Sequence, residues 1–186
     1  PKPFPCTTLC RSQVAEILLN SERDEEALQA YQNALATVTS PSRYRNRWVS
    51  LDDFRRRVLA AWNQWVDQGE FQMAIKLSNL MSPLVPEVQS QELHAKANFH
   101  WAVQLSVELK TTRFTQFSKK KNESLSRWRI SGASHAKLAE LVSTTSEYPK
   151  ALWLSAEHYR NGHSFQNALN QLTRFINLQP KSKLPL

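Results

Sequence analysis

The chain has 186 residues, and its 24 Lys and Arg against 16 Asp and Glu give a formal net charge of +8. Hydrophobic residues make up 41% and charged residues 22% of the sequence, which is enough apolar surface for a folded core and excludes a disordered chain. No uncharged stretch approaches the roughly 20 apolar residues of a membrane-spanning helix. Three glycines against nine prolines favour helices over a sheet with many hairpin turns.

The two ends and the two cysteines give little information about function. The sequence opens PKPFPC without a methionine and closes KSKLPL, so we expect a piece of a longer chain. Cys6 and Cys10 are too few for a disulfide framework and lack the second ligand pair of a zinc site. The sequence therefore predicts ordinary thiols and leaves the compartment of the protein open.

The first predicted element is a helical hairpin over about residues 8–40. Val14, Ala15 and Leu18 recur at helical spacing on its first helix, and Asn20 with Ser21 forms the turn. The second helix has a stronger apolar stripe, formed by Ala27, Leu28, Tyr31, Ala34 and Leu35.

The second hairpin, over about residues 51–86, has the clearest pattern. Ser50 is a predicted N-cap, Gly69 ends the first helix, and prolines at 83 and 86 stop the second. We expect Trp62 and Trp65 to be buried, because they continue an apolar stripe that recurs every three or four residues. That stripe comprises Leu51, Phe54, Val58, Ala61, Trp62 and Trp65, and the next one Phe71, Ala74, Ile75, Ser78 and Met81.

Two further hairpins are predicted over about residues 88–145 and 149–180. The first pairs helices at 91–109 and 124–142 across an exposed loop at 110–123, where the periodicity breaks. In the second, Pro149 starts a helix that ends at Asn161-Gly162. Its partner helix is predicted to face the core with Phe165, Ala168, Leu169, Leu172, Phe175 and Ile176.

These hairpins resemble tetratricopeptide repeats, whose two-helix unit runs about 34 residues. The matching small, aromatic and proline positions are Ala156, Tyr159, Phe165, Ala168 and Pro180 in the last hairpin, Trp65, Gly69, Phe71, Ala74 and Pro86 in the second, and Ala15, Ala27, Tyr31 and Ala34 in the first. The resemblance implies an all-α, right-handed α-solenoid of about four hairpins in a single domain, residues 1–186. Wider spacing between the hairpins leaves an unrelated helical bundle as the alternative.

The resemblance also implies a function, because repeats of this kind bind proteins or peptides on a concave face lined by first helices. Carried onto this sequence, the partner-binding positions are Arg56, Leu59, Asn63 and Val66 in the second hairpin and Lys150, Trp153, Glu157 and Arg160 in the last. The first hairpin would add Ser12, Glu16 and Leu19. The implied role is a scaffold or adaptor; the competing interpretation for each position is a solvated helix face.

Clustered basic residues support an alternative function, the binding of nucleic acid or another polyanion. The clusters are Arg43, Arg45 and Arg47, then Lys119, Lys120 and Lys121, then Arg127 and Arg129. Tyr44, Trp48 and Trp128 interleave with the arginines, as a surface that stacks on bases and contacts phosphates requires. An acidic protein partner would satisfy the same charge. The run Arg55–Arg57 is expected on the outward side of its helix.

The sequence predicts no catalytic residue, metal or cofactor. Its five histidines form no HExxH pattern, and three isolated glycines make no phosphate-binding loop. The GASHA run at 132–136 lies inside a helical stripe and not at a strand-to-helix turn. His158 and His163 flank the last predicted turn, where polar residues are ordinary.

Overall fold

The computed structural model describes residues 8–38, 40–111 and 114–178. Within these ranges the chain forms eight α-helices, a 3₁₀ turn at Pro41–Arg43 and no strand, so the predicted all-α class is confirmed. The helices are α1 Thr8–Asn20, α2 Asp24–Leu35, α3 Leu51–Gln68, α4 Phe71–Leu80, α5 Glu87–Glu108, α6 Phe114–Leu141, α7 Tyr148–Asn161 and α8 Phe165–Leu178. The chain divides into two compact units, residues 1–90 and 91–186, and α5 begins four residues before the second unit.

In the first unit, two helical hairpins pack side by side, since α1 contacts α2 and α3 while α4 also contacts both α2 and α3. Trp65 is fully buried among these helices, and Trp62 is only 5% exposed, as predicted. The Trp65 ring meets Tyr31 edge to face at 6.1 Å, and its Nε1 donates to Asp24 Oδ1 at 2.6 Å. One indole therefore joins α3 to α2 through both apolar and polar contacts.

The ends of α3 show why the sequence defines this helix so clearly. The Ser50 hydroxyl accepts the backbone N–H of Asp53 at 3.0 Å, which satisfies one of the free amides of the first turn. At the other end Gly69 has φ 81°, a left-handed conformation that glycine adopts without a Cβ penalty. Both predicted boundary residues are confirmed.

The register predicted for α1 is wrong at several positions. Val14, expected inside, is 43% exposed, whereas Ser12 and Leu19, expected to face a partner, are 0% and 3% exposed. The buried side of α1 runs through Ser12, Ala15 and Leu19 because this helix packs on both α2 and α3. Ser12 and Leu19 therefore belong to the core of the first unit.

In the second unit, α5 and α6 pair antiparallel, α7 packs on α6, and α8 packs on α7. The pairing of α5 and α6 follows from two contacts: Ser106 lies beside Ser124, with hydroxyls 2.9 Å apart, and Ser131 donates to Ala95 O at 3.2 Å. Residue numbers rise along one helix as they fall along the other, which defines the antiparallel direction.

The exposed loop predicted at 110–123 is corrected by the structure, because α6 already begins at Phe114. The polar run at 118–123 contains no Gly or Pro and is compatible with a helix. Lys120 also forms an ion pair with Glu108 of α5, with Nζ and Oε2 2.7 Å apart. The periodicity breaks there because little of the helix is covered, and not because the helix ends.

The contact between α6 and α7 is made through small residues. The Ser155 hydroxyl of α7 donates to the carbonyl oxygen of Gly132 in α6 at 2.8 Å. A Cβ at Gly132 would lie 2.9 Å from Cγ and 3.0 Å from the backbone N of Tyr159. Only a residue without a side chain fits this contact.

The last helix differs most from expectation. Of the six α8 residues predicted to face the core, only Ala168 is buried. Phe165, Leu169 and Ile176 are 65%, 58% and 48% exposed, so the prediction was wrong for these three. The physical reason is that α7 covers one side of α8 and the apolar stripe extends beyond that side.

Replacing Trp65 by alanine is expected to lower the free energy of unfolding by about 3 to 5 kcal/mol, since a fully buried aromatic leaves a cavity and an unpaired Asp24. Trp48→Ala is the matched control, because Trp48 is 67% exposed in the same unit. Urea titration followed by circular dichroism gives both values. Similar midpoints for the two variants would contradict the packing described for α3.

Gly132→Ala tests the α6–α7 contact. Alanine favours a helix interior by about 1 kcal/mol relative to glycine. Here the added Cβ meets a backbone nitrogen that cannot move independently, so we expect net destabilisation by about 1 to 3 kcal/mol. Ser126→Ala, at an exposed position of the same helix, is expected to be neutral or slightly stabilising. Unchanged or raised stability of the Gly132 variant in thermal unfolding would show that the helices separate without cost.

Candidate functional site

A groove of about 400 Å³ runs between α7 and α8 and is the candidate site. Three residues predicted from the last hairpin, Trp153, Glu157 and Arg160, lie along it, whereas Lys150 is exposed near Glu147. The full lining is Trp153, Ala156, Glu157 and Arg160 from α7 and Phe165, Ala168, Leu169 and Leu172 from α8.

Residue size gives the groove its shape. Ala156 and Ala168 are buried at 2% and 4% exposure, so small side chains lie where the two helices approach each other. Trp153 stands beside them at 50% exposure, with its ring centre 5.6 Å from that of Phe175. The result is a concave apolar surface with an exposed aromatic wall.

Two charges mark the rim of the groove. Glu157 is partly buried and Arg160 is exposed, one turn further along α7. Neither forms an ion pair with a residue in the described part of the chain. The rim therefore offers one free carboxylate and one free guanidinium to a bound molecule.

The positions predicted on α3 lie in the first unit. Arg56 and Asn63 are exposed, and Leu59 and Val66 are partly buried. Arg56 forms an ion pair with Asp53 in the preceding turn. These residues thus form an amphipathic helix surface in which the one charged member already has a partner.

Glu16, the remaining position predicted on the first hairpin, has a structural contact. Arg57 Nη1 lies 3.0 Å from both carboxylate oxygens of Glu16, which links α3 to α1. A cavity of about 280 Å³ lies between these helices, and Glu16, Leu19 and Arg56 contribute to its lining. Glu16 and Leu19 of the first hairpin therefore lie against α3 of the second hairpin.

A second cavity of the second unit, about 380 Å³, contains an aromatic cluster around His158. The His158 ring is stacked on Phe99 with centres 5.1 Å apart, and Trp128 and His135 meet it at 5.2 and 4.7 Å. His158 is only 3% exposed, so its prediction as a polar turn residue was wrong. Lys96, His100, Leu154, Glu157 and Asn161 complete the lining.

Ser131 is the hydrogen-bond partner of His158. Its hydroxyl lies 3.2 Å from Ala95 O and 3.0 Å from His158 Nδ1. A hydroxyl has one proton, so both hydrogen bonds form together only in the tautomer in which Nδ1 donates to Ser131. Burial, with a smaller contribution from His135, lowers the pKa of His158 to about 3. The cluster is therefore uncharged at neutral pH.

Several basic residues of the alternative site have intramolecular roles. The Arg127 guanidinium lies over the Trp101 ring, 3.3 Å from its centre, and Arg129 Nε donates to Gly162 O at 2.6 Å. Trp128, expected to stack on a base, is packed in the aromatic cluster. Both arginines therefore stabilise the second unit.

The remaining basic residues fall into paired and unpaired groups. Lys120 pairs with Glu108, whereas Lys119 and Lys121 are exposed. Of the three consecutive arginines in α3, Arg55 pairs with Asp52, Arg56 with Asp53 and Arg57 with Glu16. Arg43, Arg45 and Arg47 are exposed and form no ion pair within the described residues.

Two further findings concern residues 8–38, 40–111 and 114–178. No three His, Cys, Asp or Glu side chains there are arranged to hold a metal ion. None of the helices in these ranges combines the length and apolar character needed to cross a membrane.

Comparison with family models, curated proteins and solved structures found no match to the chain.

Sequence reasoning missed the α8 side of the groove. Phe165, Leu169 and Leu172 were assigned to the core because they share one helical face. Whether such a face is buried or exposed depends on whether another helix packs against it, and helical spacing alone does not show this.

His158→Phe tests the neutral histidine. The folded pKa of about 3 lies below the unfolded value of 6.5, so only the unfolded chain gains a proton as pH falls below 6.5. The stability contribution is thus present above pH 6.5 and declines toward pH 3. Phenylalanine preserves the stacking and removes this titration. Between pH 7.5 and 5 the parent should lose about 2 kcal/mol more unfolding free energy than the variant. Equal losses in urea titrations would mean that folded His158 accepts the proton.

Proposed function

We propose that this chain is a helical-repeat module that binds a partner protein, and that the α7–α8 groove receives an amphipathic helix of that partner. The supporting observation is the exposed apolar stripe of α8, in which Phe165 and Leu169 are 65% and 58% exposed beside Trp153. Clustered exposed apolar side chains with a polar rim are typical of interaction sites. Burying them supplies the free energy of association.

A helix fits this groove better than an extended strand. The groove is bounded by helices along its length, so it offers no unpaired backbone edge to which a strand would bond. Phe165, Leu169, Leu172 and Ile176 are spaced by four, three and four residues and form one ridge. An apolar ridge of a partner helix packs beside it. The first unit offers a precedent, because α1 packs on α3 and α2 on α4.

The rim charges specify the partner more closely. Arg160 favours a carboxylate and Glu157 favours a lysine or arginine on the bound helix. Because the two rim residues are three apart on α7, complementary charges on the partner define its direction along the groove. The proposed occupant is an amphipathic helix with apolar anchors and one charge of each sign.

The likeness to tetratricopeptide repeats belongs to the same proposal. It is supported by the side-by-side hairpins of the first unit and by the alanines at the α7–α8 contact. In a right-handed solenoid, the uncovered side of α8 is where a further hairpin would stack. A partner helix would occupy the equivalent position. The proposed role is therefore a scaffold or adaptor, without catalysis or a cofactor.

The test places a photoreactive benzoylphenylalanine at Phe165 and, as a matched control, at Asn167, which is exposed on another side of α8. In lysate of the source organism, irradiation is expected to crosslink a defined protein segment at 165 and not at 167. That segment, made as a peptide, should be helical when bound. Trp153→Ala should weaken its binding about tenfold or more, because half-exposed aromatics in a groove are frequent binding hot spots.

Three results would contradict the proposal. Equal crosslinking at both positions would indicate a non-specific surface. A crosslinked segment that binds without becoming helical would remove the proposed occupant. Unchanged peptide affinity in the Trp153→Ala variant, with parental thermal stability, would remove the groove from the interface.

A further inference from the structure

The segment between α2 and α3 contains three exposed arginines. We define the arginine loop as residues 42–49, which contain Arg43, Arg45 and Arg47. Their guanidinium groups form no ion pair within the described residues. Carboxylates are nearby at the start of α3, but Asp52 and Asp53 are held by Arg55 and Arg56. The positive charge of the loop is therefore not neutralised locally.

The loop is held in place by its inward side chains. The Tyr44 ring stacks on Phe54 with centres 6.4 Å apart and planes 11° from parallel. Asn46 Oδ1 accepts the backbone N–H groups of Trp48 at 2.8 Å and Val49 at 3.2 Å. Val49 is only 5% exposed. These contacts anchor one side of the loop. On the other side Arg43, Arg47 and Trp48 are exposed, and the exposed Arg45 donates from Nη1 to the carbonyl oxygens of Ser42 and Tyr44 at 3.1 and 2.9 Å. Tyr44 therefore anchors the loop and is not the stacking surface that the sequence predicted.

Trp48 is the exposed aromatic of the loop. It is 67% exposed, and the Arg47 guanidinium lies 5.5 Å from its ring centre. The same segment of the chain also forms a shallow depression of about 580 Å³, lined by Tyr44, Arg45, Asn46, Arg47, Val49, Ser50 and Leu51. The loop therefore combines exposed guanidinium groups with an exposed indole, which suits a ligand that has both negative charge and a flat ring.

We infer that the arginine loop binds single-stranded nucleic acid, with phosphates at Arg43, Arg45 and Arg47 and a base stacked on Trp48. Arginines contact the phosphates, while an aromatic face accepts any base, which is the combination that single-strand sites use. An acidic peptide would account for the arginines but not for the exposed indole. This site lies in the first unit and is independent of the α7–α8 groove.

The first arm of the test compares two variants that each remove two positive charges. Arg45→Gln/Arg47→Gln changes the loop, and Lys119→Gln/Lys121→Gln changes an exposed basic run on α6. Binding of fluorescein-labelled oligothymidylate is followed by anisotropy from about 50 to 200 mM salt. The loop variant should bind at least tenfold more weakly at low salt, with a slope of log affinity against log salt smaller by about 1.4. The lysine variant should remain within about twofold of the parent.

The second arm separates base stacking from charge. Trp48→Ala is expected to weaken oligothymidylate binding about tenfold without changing the salt slope. Inorganic polyphosphate, which has no bases, should bind the parent and this variant equally. The high exposure of Trp48 allows the variant to fold, and circular dichroism checks this.

Several outcomes would overturn the inference. Equal loss of affinity in both charge variants would indicate binding through overall charge. Unchanged oligothymidylate binding by Trp48→Ala would exclude base stacking on Trp48. Better competition by an oligoglutamate peptide than by oligothymidylate would assign the loop to acidic proteins. Absence of oligothymidylate binding at low salt would exclude the site. None of these outcomes depends on whether the α7–α8 groove binds a partner helix.

Discussion

The second unit depends on the close approach of α6 and α7, where the Ser155 hydroxyl reaches Gly132 O and no Cβ fits at Gly132. This contact determines how α7 is rotated. With Ser155 toward α6, His158 enters the aromatic cluster three residues later, and Trp153 and Arg160 fall on the side that faces α8. The helix α7 therefore has the uncharged buried cluster on one side and the open apolar groove on the other. Its orientation depends on Gly132, which has no side chain.

Helical periodicity correctly predicted those helices whose apolar stripe is fully covered by neighbouring helices. Across α3 the spacing of apolar residues, the Ser50 cap and Gly69 agree, and the burial of Trp62 and Trp65 follows from them. The same reasoning failed for the start of α6, because periodicity reports which side of a helix is covered and carries little information about a helix exposed on most sides. It also failed by one position in α1, where contact with two neighbours rotates the buried face.

The candidate site was predictable only in part. Trp153, Glu157 and Arg160 were found because they share one side of α7, but Phe165 and Leu169 were assigned to the core. A sequence pattern shows that a face is apolar without showing whether the chain supplies its cover. Charge has the same limit, because counting arginines does not reveal that Arg55 has a carboxylate partner and Arg45 has none. Whether an apolar face is covered and whether a charge has a partner both depend on residues that are distant in the sequence.

Three of the six tryptophans lie in physically different environments. Trp65 is enclosed in the first unit, Trp48 stands in solvent on the arginine loop, and Trp153 borders the groove. An indole emits at shorter wavelengths in an apolar environment than in water, so each region has its own fluorescent reporter. A ligand-induced change in emission that disappears when Trp48 or Trp153 alone is replaced by phenylalanine would report occupancy of the loop or of the groove, without an added label and with Trp65 left in place.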